Sequence, residues 1–278
     1  MIKVTVPATS ANVGAGFDAL GLALSLHNTV TLEESDRIDI QSSDGSLIPT
    51  GTSNLVYRSA RAVFDQLGQP LPGICIRQEN PIPMARGLGS SSACIVAGIL
   101  GANALLGSPL TPRQMLTLAT SIEGHPDNVA PAMLGGFVTS VYDEGQVYSA
   151  RKAINEELAF AAFIPNFKLL TEKARAALAT AAFCDGDYEL LKVATKDALH
   201  QQYRLPLIPG GERVFELAWD LGAYAVYISG AGPTIMAVVH RENSDFFARA
   251  EEALMQQPET MAFSLRRMVA DNRGAVVE

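Results

Sequence analysis

The chain has 278 residues, of which 48% are hydrophobic and 18% charged, and its formal net charge of −8 gives a pI of about 5.1. An acidic chain without a basic block argues against nucleic acid as a partner, and no stretch has the roughly 18 unbroken apolar residues of a membrane span. Cys75, Cys94 and Cys184 are too few and too widely spaced for a zinc site or a disulfide framework. With a first segment that begins as a strand, these features predict a cytoplasmic protein of one large or two ordinary domains.

The first part of the chain predicts strands around a glycine-rich segment. Apolar and polar residues alternate from Ile2 to Val6, as in a half-buried strand that Pro7 is expected to end. Residues 8–24 are small and glycine-rich, with Asn12 and Asp18 as strongly polar members. Taken alone, they favour a plain connection over a ligand loop. Further strands are predicted over 29–33, 38–41 and 74–76, and an amphipathic helix over 55–67.

A loop rich in proline, glycine and serine, residues 81–92, leads into an apolar run that predicts a helix over 93–106. Serine at the junction is a natural N-cap, and glycine lets the backbone approach a ligand closely. The N–H groups of a helix N-terminus suit a phosphate, whereas the alternative is a serine-capped buried helix without a ligand. The loop alone leaves both interpretations open.

A second polar cluster lies between two apolar segments. Thr111 and Pro112 are expected to start a helix that runs to Ile122. Residues 123–128, Glu-Gly-His-Pro-Asp-Asn, then form a turn with a carboxylate, an imidazole, an Asp and an amide in six positions. One such residue often only caps a turn, but the combination predicts a site. Two strands, 135–142 and 147–150, follow around a turn at 143–145.

The second half of the chain mixes strands and helices without a regular βαβ period. Strands are predicted over 158–164, 225–228, 235–239 and 261–269. Helices are predicted over 172–181 with Thr171 as cap, 187–200, 211–221 and 244–257. This pattern predicts an α+β fold. We place a domain boundary after residue 157, which gives domains over 1–157 and 158–278.

Two known phosphate motifs do not fit residues 87–92. A P-loop needs a lysine beside its last glycine, and none is present. A dinucleotide fingerprint needs a third glycine where this chain has Ser92. What remains is a backbone cradle with a hydroxyl that can reach magnesium. Magnesium takes carboxylate and phosphate oxygens, and Glu123 is the carboxylate best placed by context.

Three segments, in this order, resemble the motifs of the GHMP kinases. They are Pro-Ala-Thr-Ser-Ala-Asn-Val-Gly-Ala-Gly-Phe-Asp at 7–18, Gly-Leu-Gly-Ser-Ser-Ser at 87–92 and Ser-Gly-Ala-Gly-Pro-Thr at 229–234. Each is weak alone, but the ordered triplet spans nearly the whole chain. Within that superfamily, residues 10–18 and 123–131 are similar to the homoserine kinase family, and the first loop lacks the sugar-binding arginine and acidic motif of galactokinases.

The resemblance implies the two-domain GHMP kinase fold, with a ribosomal-S5-like N-terminal domain, a ferredoxin-like C-terminal domain and the site between them. It implies transfer of the γ-phosphoryl group of ATP to the side-chain hydroxyl of L-homoserine, a step of threonine biosynthesis. It also implies Mg2+ as cofactor and a homodimer as the assembly.

The family's functional residues can be carried over position by position. The resemblance implies that Ser91 and Glu123 hold the metal. It implies that the homoserine site contains Asn12, Asp18, His125, Arg175, Arg204 and Gly232. It implies that the ATP-binding stretch consists of Pro83, Met84, Ala85, Arg86, Gly87, Leu88, Gly89, Ser90, Ser91, Ser92 and Ala93. For Arg175 and Arg204, a solvated helix face is the alternative.

Phosphoryl transfer has a loose transition state, so positioning and charge neutralisation are expected to supply most of the catalysis. Many GHMP kinases place an Asp base near the polar turn. The matching residue here is Asp127 or Asn128, with Arg204 completing the catalytic set. Our hypothesis is that no strong side-chain base operates. The chain is short for the family between residues 175 and 187, which affects the setting of Arg175.

Three other functions stay open at this point. One is a GHMP kinase acting on another small alcohol, and a second is a binding or regulatory module on an inactive kinase fold. The third is a nicotinamide oxidoreductase. Intact Ser91, Glu123 and glycine loops argue against the second, and the missing dinucleotide fingerprint argues against the third.

Overall fold

The computed structural model describes residues 1–14, 16, 18–165, 183, 186, 188, 191, 195 and 201–278. In this part of the chain the helices are α1 (Leu55–Gln66), α2 (Ser90–Leu105), α3 (Pro112–Glu123), α4 (Pro126–Leu134), α5 (Gln201–Arg204), α6 (Gly211–Asp220) and α7 (Ser244–Gln256). The strands are β1 (Ile2–Ala11), β2 (Leu20–Ser35), β3 (Asp39–Ser42), β4 (Gly73–Glu79), β5 (Phe137–Asp143), β6 (Gln146–Lys152), β7 (Leu158–Pro165), β8 (Ala225–Ile228), β9 (Ile235–His240), β10 (Phe263–Met268) and β11 (Val276–Val277). The helices predicted over 172–181 and 187–200 lie outside the described residues, apart from single positions.

The first sheet has seven strands. Their order is β11-β1-β2-β4-β3, and β5 pairs with the start of β2 and with β6. Strands β3 and β4 are parallel, and the other pairs are antiparallel. The predicted strand end at Pro7 is wrong, because β1 continues to Ala11 with a shift of register between Pro7 and Ala8. A bulge tolerates a residue that cannot donate a ladder hydrogen bond, so proline does not end the strand here.

Helix α2 lies at the centre of the helical layer, where it contacts α1, α3 and α4 as well as β1 and β2. It is apolar on all sides because neighbours surround it. Ile95, Val96 and Ile99 are at most 1% exposed. The predicted serine cap is wrong, because Gly89 occupies the N-cap position with a φ of 66° and makes no side-chain cap bond. A capping serine would have used one of the first-turn N–H groups.

Helices α3 and α4 carry the second polar cluster. Thr111 caps α3 in a capping box with Gln114, and Pro112 is its first residue, as predicted. The segment interpreted as a turn is instead the start of a helix that the sequence analysis missed. His125 is the N-cap residue of α4, and Asp127 lies in its first turn. Proline at the first helical position favours this start.

The second sheet has four antiparallel strands in the order β10-β7-β9-β8. Helix α6 lies between β7 and β8 in the chain, and α7 lies between β9 and β10. This β-α-β-β-α-β arrangement is ferredoxin-like, as predicted for the second half. Strand β7 is buried on both faces. Phe163 packs in the cluster that includes α6 and α7, whereas Phe160 joins the core of the first sheet.

The end of the chain returns to the first sheet. Val277 pairs with Val4 on β1, so β11 adds an edge strand that the sequence analysis did not contain. The strands predicted from residue 135 onward otherwise agree with the structure to within about two residues at each end. The proposed boundary after residue 157 falls between β6 and β7, and it remains a prediction. Among the described residues, no helix is long and apolar enough to cross a membrane.

Candidate active site

A cleft of about 270 Å³ lies where loops from both sheets meet. Its walls come from the end of β1 and the glycine-rich segment after it, the loop before α2, the junction of α3 and α4, and the turn between β8 and β9. The residues that line it are Ala11, Asn12, Asp18, Ala85, Arg86, Gly87, Leu88, Gly89, Ser90, Ser91, Glu123, His125, Asp127, Asn128, Gly230, Ala231 and Gly232. All three motif segments therefore border one cavity.

The loop before α2 presents a helix N-terminus to the cleft. Gly87 and Gly89 have φ angles of 74° and 66°, in the left-handed region that glycine adopts without strain. Gly89, Ser90 and Ser91 border the cavity, so the positive end of the α2 dipole meets it. Backbone N–H groups at such a turn form a site for an anion such as a phosphate.

Glu123, the last residue of α3, faces the first turn of α2. The Ser91 hydroxyl donates to Glu123 Oε2 at 3.0 Å, and the Ser92 hydroxyl donates to Oε1 at 2.7 Å. Ser92 is fully buried, whereas Ser91 is exposed and lines the cleft. The two hydroxyls fix the carboxylate at the edge of the cavity. Ser91 and Glu123 offer hard oxygen ligands, which fits a magnesium ion.

The start of α4 gathers polar side chains around one carboxylate. His125 Nδ1 lies 2.5 Å from Asp127 Oδ1, and Asn128 Nδ2 donates to the same oxygen at 3.4 Å. Asp127 is only 3% exposed. The hydrogen bond to Asp127 raises the pKa of His125 to about 9, and the negative charges of Asp127, Glu123 and Asp18 act in the same direction against the effect of burial. The imidazole is therefore protonated at neutral pH.

Asp18, His125 and Asp127 have potential ligand atoms within 4.8 Å of one another. A protonated imidazole has no lone pair for a metal, and its charge already balances the two carboxylates. This cluster is therefore poorly suited to a divalent cation. The pair of Ser91 and Glu123 fits a metal better.

Asn12 joins the first segment to the turn between β8 and β9. It is 2% exposed, its Nδ2 donates to the Gly230 carbonyl at 3.1 Å, and its Oδ1 accepts from the Asp18 N–H at 3.3 Å. Asn12 and Asp18 have φ angles of 67° and 53°, which are uncommon outside glycine. Both ends of the Asn12 amide contact protein, and its direct contact with homoserine stays a prediction.

A buried set of hydroxyls holds the third segment against the phosphate loop. Ser229 Oγ donates to the Gly87 carbonyl at 2.6 Å and lies 2.7 Å from Ser10 Oγ. Ser10 Oγ in turn donates to Tyr227 Oη at 3.5 Å. A Cβ at Gly87 would lie 2.3 Å from the Ser229 carbonyl oxygen, so this approach requires glycine. Sequence reasoning missed these three hydroxyls, because serines in a glycine-rich segment look like ordinary loop residues.

The remaining predicted residues lie around this centre. Arg204 is 9% exposed and its Nη1 donates to the Ala231 carbonyl at 2.7 Å, so it is not on a solvated helix face. Arg175, and the shortened stretch beside it, lie outside the described residues. Gly232 lines the cleft. Four residues of the predicted ATP-binding stretch do not line it: Pro83, Met84, Ser92 and Ala93. The functional roles of all these residues remain predictions.

Comparison with known families agrees with this geometry. The model for the GHMP kinases N terminal domain matches residues 54–136, and the model for the GHMP kinases C terminal matches residues 179–254. The two matches fall on either side of the cleft-forming loops of the two sheets. The fold and the cleft are those of a GHMP kinase.

Full-length relatives narrow the class. Homoserine kinase from Clostridium beijerinckii is 41% identical over 297 residues, covering 100% of this chain and 98% of the relative. Homoserine kinase from Moorella thermoacetica is 41% identical over 304 residues, covering 100% of both. The crystal structure of homoserine kinase from Cytophaga hutchinsonii superposes with a TM-score of 0.82 at 27% identity, covering 100% of this chain and 97% of that one. The chain belongs to the homoserine kinase family.

Proposed function

We propose that this protein transfers the γ-phosphoryl group of ATP to the side-chain hydroxyl of L-homoserine, giving O-phospho-L-homoserine for threonine biosynthesis. The observation that carries the proposal is identity of 41% to homoserine kinases along the whole chain. The family also implies a cytoplasmic homodimer, and light scattering of the purified protein tests the dimer.

The nucleotide half of the site would be built by the loop before α2. The phosphates of ATP would lie against the N–H groups of residues 87–91, where the α2 dipole favours negative charge. Ser91 and Glu123 would hold magnesium. When bound, the ion neutralises phosphate charge and helps to align the transferred group. The support for this role is the pair of hydrogen bonds that already orients the Glu123 carboxylate.

The acceptor half would be built by the polar groups opposite that loop. L-Homoserine carries an ammonium and a carboxylate, so it needs ligands of both signs. Asp18 and Asn12 would face the ammonium, and protonated His125 with Arg204 and Arg175 would face the carboxylate through charge-assisted hydrogen bonds. The raised pKa of His125, about 9, supports its use as a cation.

The chemistry would depend on positioning more than on a base. Asp127 is buried and its Oδ1 already accepts from His125 and Asn128, and an amide is not a base. These contacts support a mechanism in which the acceptor hydroxyl keeps its proton until late and passes it to phosphate oxygen. In a loose transition state such an order of events is compatible with fast transfer.

A panel of acceptors tests the proposal. ADP release is measured with the purified protein and ATP, with and without magnesium, in the presence of L-homoserine, mevalonate, galactose or shikimate. We expect turnover that requires both L-homoserine and magnesium. Faster turnover with another alcohol would identify a different GHMP kinase, and ATP binding without turnover on any alcohol would indicate a binding module.

A further inference from the structure

One hydrogen bond couples the first strand to the polar cluster of α4. Thr9 Oγ1, near the end of β1, donates to Asn128 Oδ1 at 2.7 Å. Thr9 is fully buried. Its backbone N–H donates to the Leu88 carbonyl at 3.1 Å, so the same residue is also tied to the phosphate loop. Thr9 does not line the cleft, whereas Asn128 does.

The partners of Asn128 define which way its amide faces. Its oxygen accepts from Thr9, and its Nδ2 faces Asp127 Oδ1 at 3.4 Å. The reversed amide would set an oxygen against the carboxylate of Asp127, where the two acceptors would repel. The Asp127 contact is long and weak, so the short bond from Thr9 is the stronger of the two constraints on the amide.

The phosphate loop leaves room for this bond at a single position. A Cβ placed on Gly89 would lie 1.9 Å from Thr9 Oγ1 and 3.3 Å from Asn128 Oδ1. The Thr9–Asn128 pair therefore lies directly behind the turn that enters α2. A ligand phosphate on that turn and an acceptor beside Asn128 would meet in front of the pair.

We propose that Thr9 is a positioning residue for phosphoryl transfer. Its hydroxyl fixes the Asn128 amide so that the N–H groups point into the cleft, toward the oxygen atoms that react. This inference rests on the proposed function. Because Thr9 does not border the cavity, its effect on turnover passes through Asn128 and not through contact with a ligand.

The test begins with Thr9→Val, which keeps the shape of the side chain and removes the hydroxyl. We expect kcat to fall roughly tenfold, the effect of losing one orienting hydrogen bond, while KM for ATP changes less than about twofold. Thr9→Ser, which restores the donor, recovers most of kcat. Thr5→Val, the same change on the same strand away from the cleft, is the matched control for packing and leaves kcat at the wild-type value.

A double-mutant comparison separates positioning from a general structural effect. In an Asn128→Ala background, Thr9→Val is expected to cost no further activity, because the group it orients is gone. The same fold loss in both backgrounds would overturn the proposal, as would a wild-type kcat in Thr9→Val or a failure of Thr9→Ser to restore turnover. Thermal unfolding of each variant reports on folding separately.

A readout without turnover distinguishes failure of this inference from failure of the proposed function. The side-chain amide signals of Asn128 in 1H–15N NMR spectra are assigned by their absence in Asn128→Ala. We expect Thr9→Val to shift them and Thr9→Ser to return them toward wild type. Unchanged signals in Thr9→Val would overturn the proposal even if the protein phosphorylates homoserine. A shift in a protein that is inactive on homoserine would leave the positioning role standing and contradict the assigned substrate.

Discussion

At the level of single residues, the electrostatics of the cleft centre on the buried carboxylate of Asp127. One neighbour, His125, is a cation because of that contact, and the other, Asn128, is neutral. The spacing of these residues in the sequence predicted a cluster. It did not predict which groups pair, because that depends on His125 being the N-cap of a helix and not part of a turn.

The ion pair of His125 and Asp127 is expected to make stability depend on pH in one direction. The pKa of His125 in the folded protein is about 9, against an ordinary value of 6.5. The stabilisation is present in full below pH about 6.5 and is lost as the pH rises through about 9. Thermal unfolding of wild type and His125→Gln should therefore show a gap that closes across this range. A gap that is constant, or that widens with pH, would contradict the assignment.

Asp127→Asn tests whether the buried carboxylate is a general base. Loss of a general base typically costs 10²–10⁴-fold in rate. We expect kcat with saturating homoserine and ATP to fall by less than about 10²-fold, since Asp127 orients neighbours and does not take the proton. The weaker binding of homoserine that follows from a less basic His125 should appear in KM. A collapse of kcat into the general-base range would sink the mechanism without a base.

At the level of elements, helix α2 connects the core to the chemistry. Its apolar body was predicted from composition and its site-facing end from the glycines and serines. The cap could not be predicted, because serine is a good N-cap in general and only the tertiary contact with Thr9 requires glycine at position 89. Strand β1 was underestimated for a similar reason, since the bulge that accommodates Pro7 depends on its pairing with β2.

Gly89→Ala and Gly107→Ala form a matched pair at the two ends of α2. Both glycines have positive φ, 66° and 77°, so each substitution carries backbone strain of roughly 1–2 kcal/mol. A Cβ at Gly107 meets nothing within 4 Å, whereas one at Gly89 collides with Thr9 Oγ1. We expect both variants to be less stable toward urea, but only Gly89→Ala to lose more than tenfold in kcat/KM for ATP. Equal loss of activity in the two would contradict the steric account.

At the level of the whole molecule, the site exists because two sheets share a core. Side chains of β7 reach into the first sheet's core, and the chain end returns to β1. The ferredoxin-like order of the second sheet and the class of fold were predictable from the ordered motifs. The hydroxyl seam of Ser10, Ser229 and Tyr227 was not, because it joins residues more than two hundred positions apart.

Ser229→Ala tests that seam. The substitution leaves the Gly87 carbonyl and the Ser10 hydroxyl without a partner in a buried place, and burial raises the pKa of Tyr227 to about 12, so its phenol stays neutral and cannot compensate by charge. We expect a loss of about 1–3 kcal/mol in the free energy of unfolding, together with weaker ATP binding. Ser264→Ala, at an exposed serine that donates to Ile164, is the control and should cost less. Equal costs would show that the seam adds nothing beyond an ordinary surface hydrogen bond.

The most direct measurement is identification of the product formed from ATP, magnesium and L-homoserine. The reaction is followed by 31P NMR, with Glu123→Gln as the variant that weakens the metal site. We predict a phosphomonoester signal of O-phospho-L-homoserine that grows in step with ADP in the wild type and at least tenfold more slowly in Glu123→Gln at low magnesium. ADP formed without that ester, or an ester formed only from a different alcohol, would contradict the account.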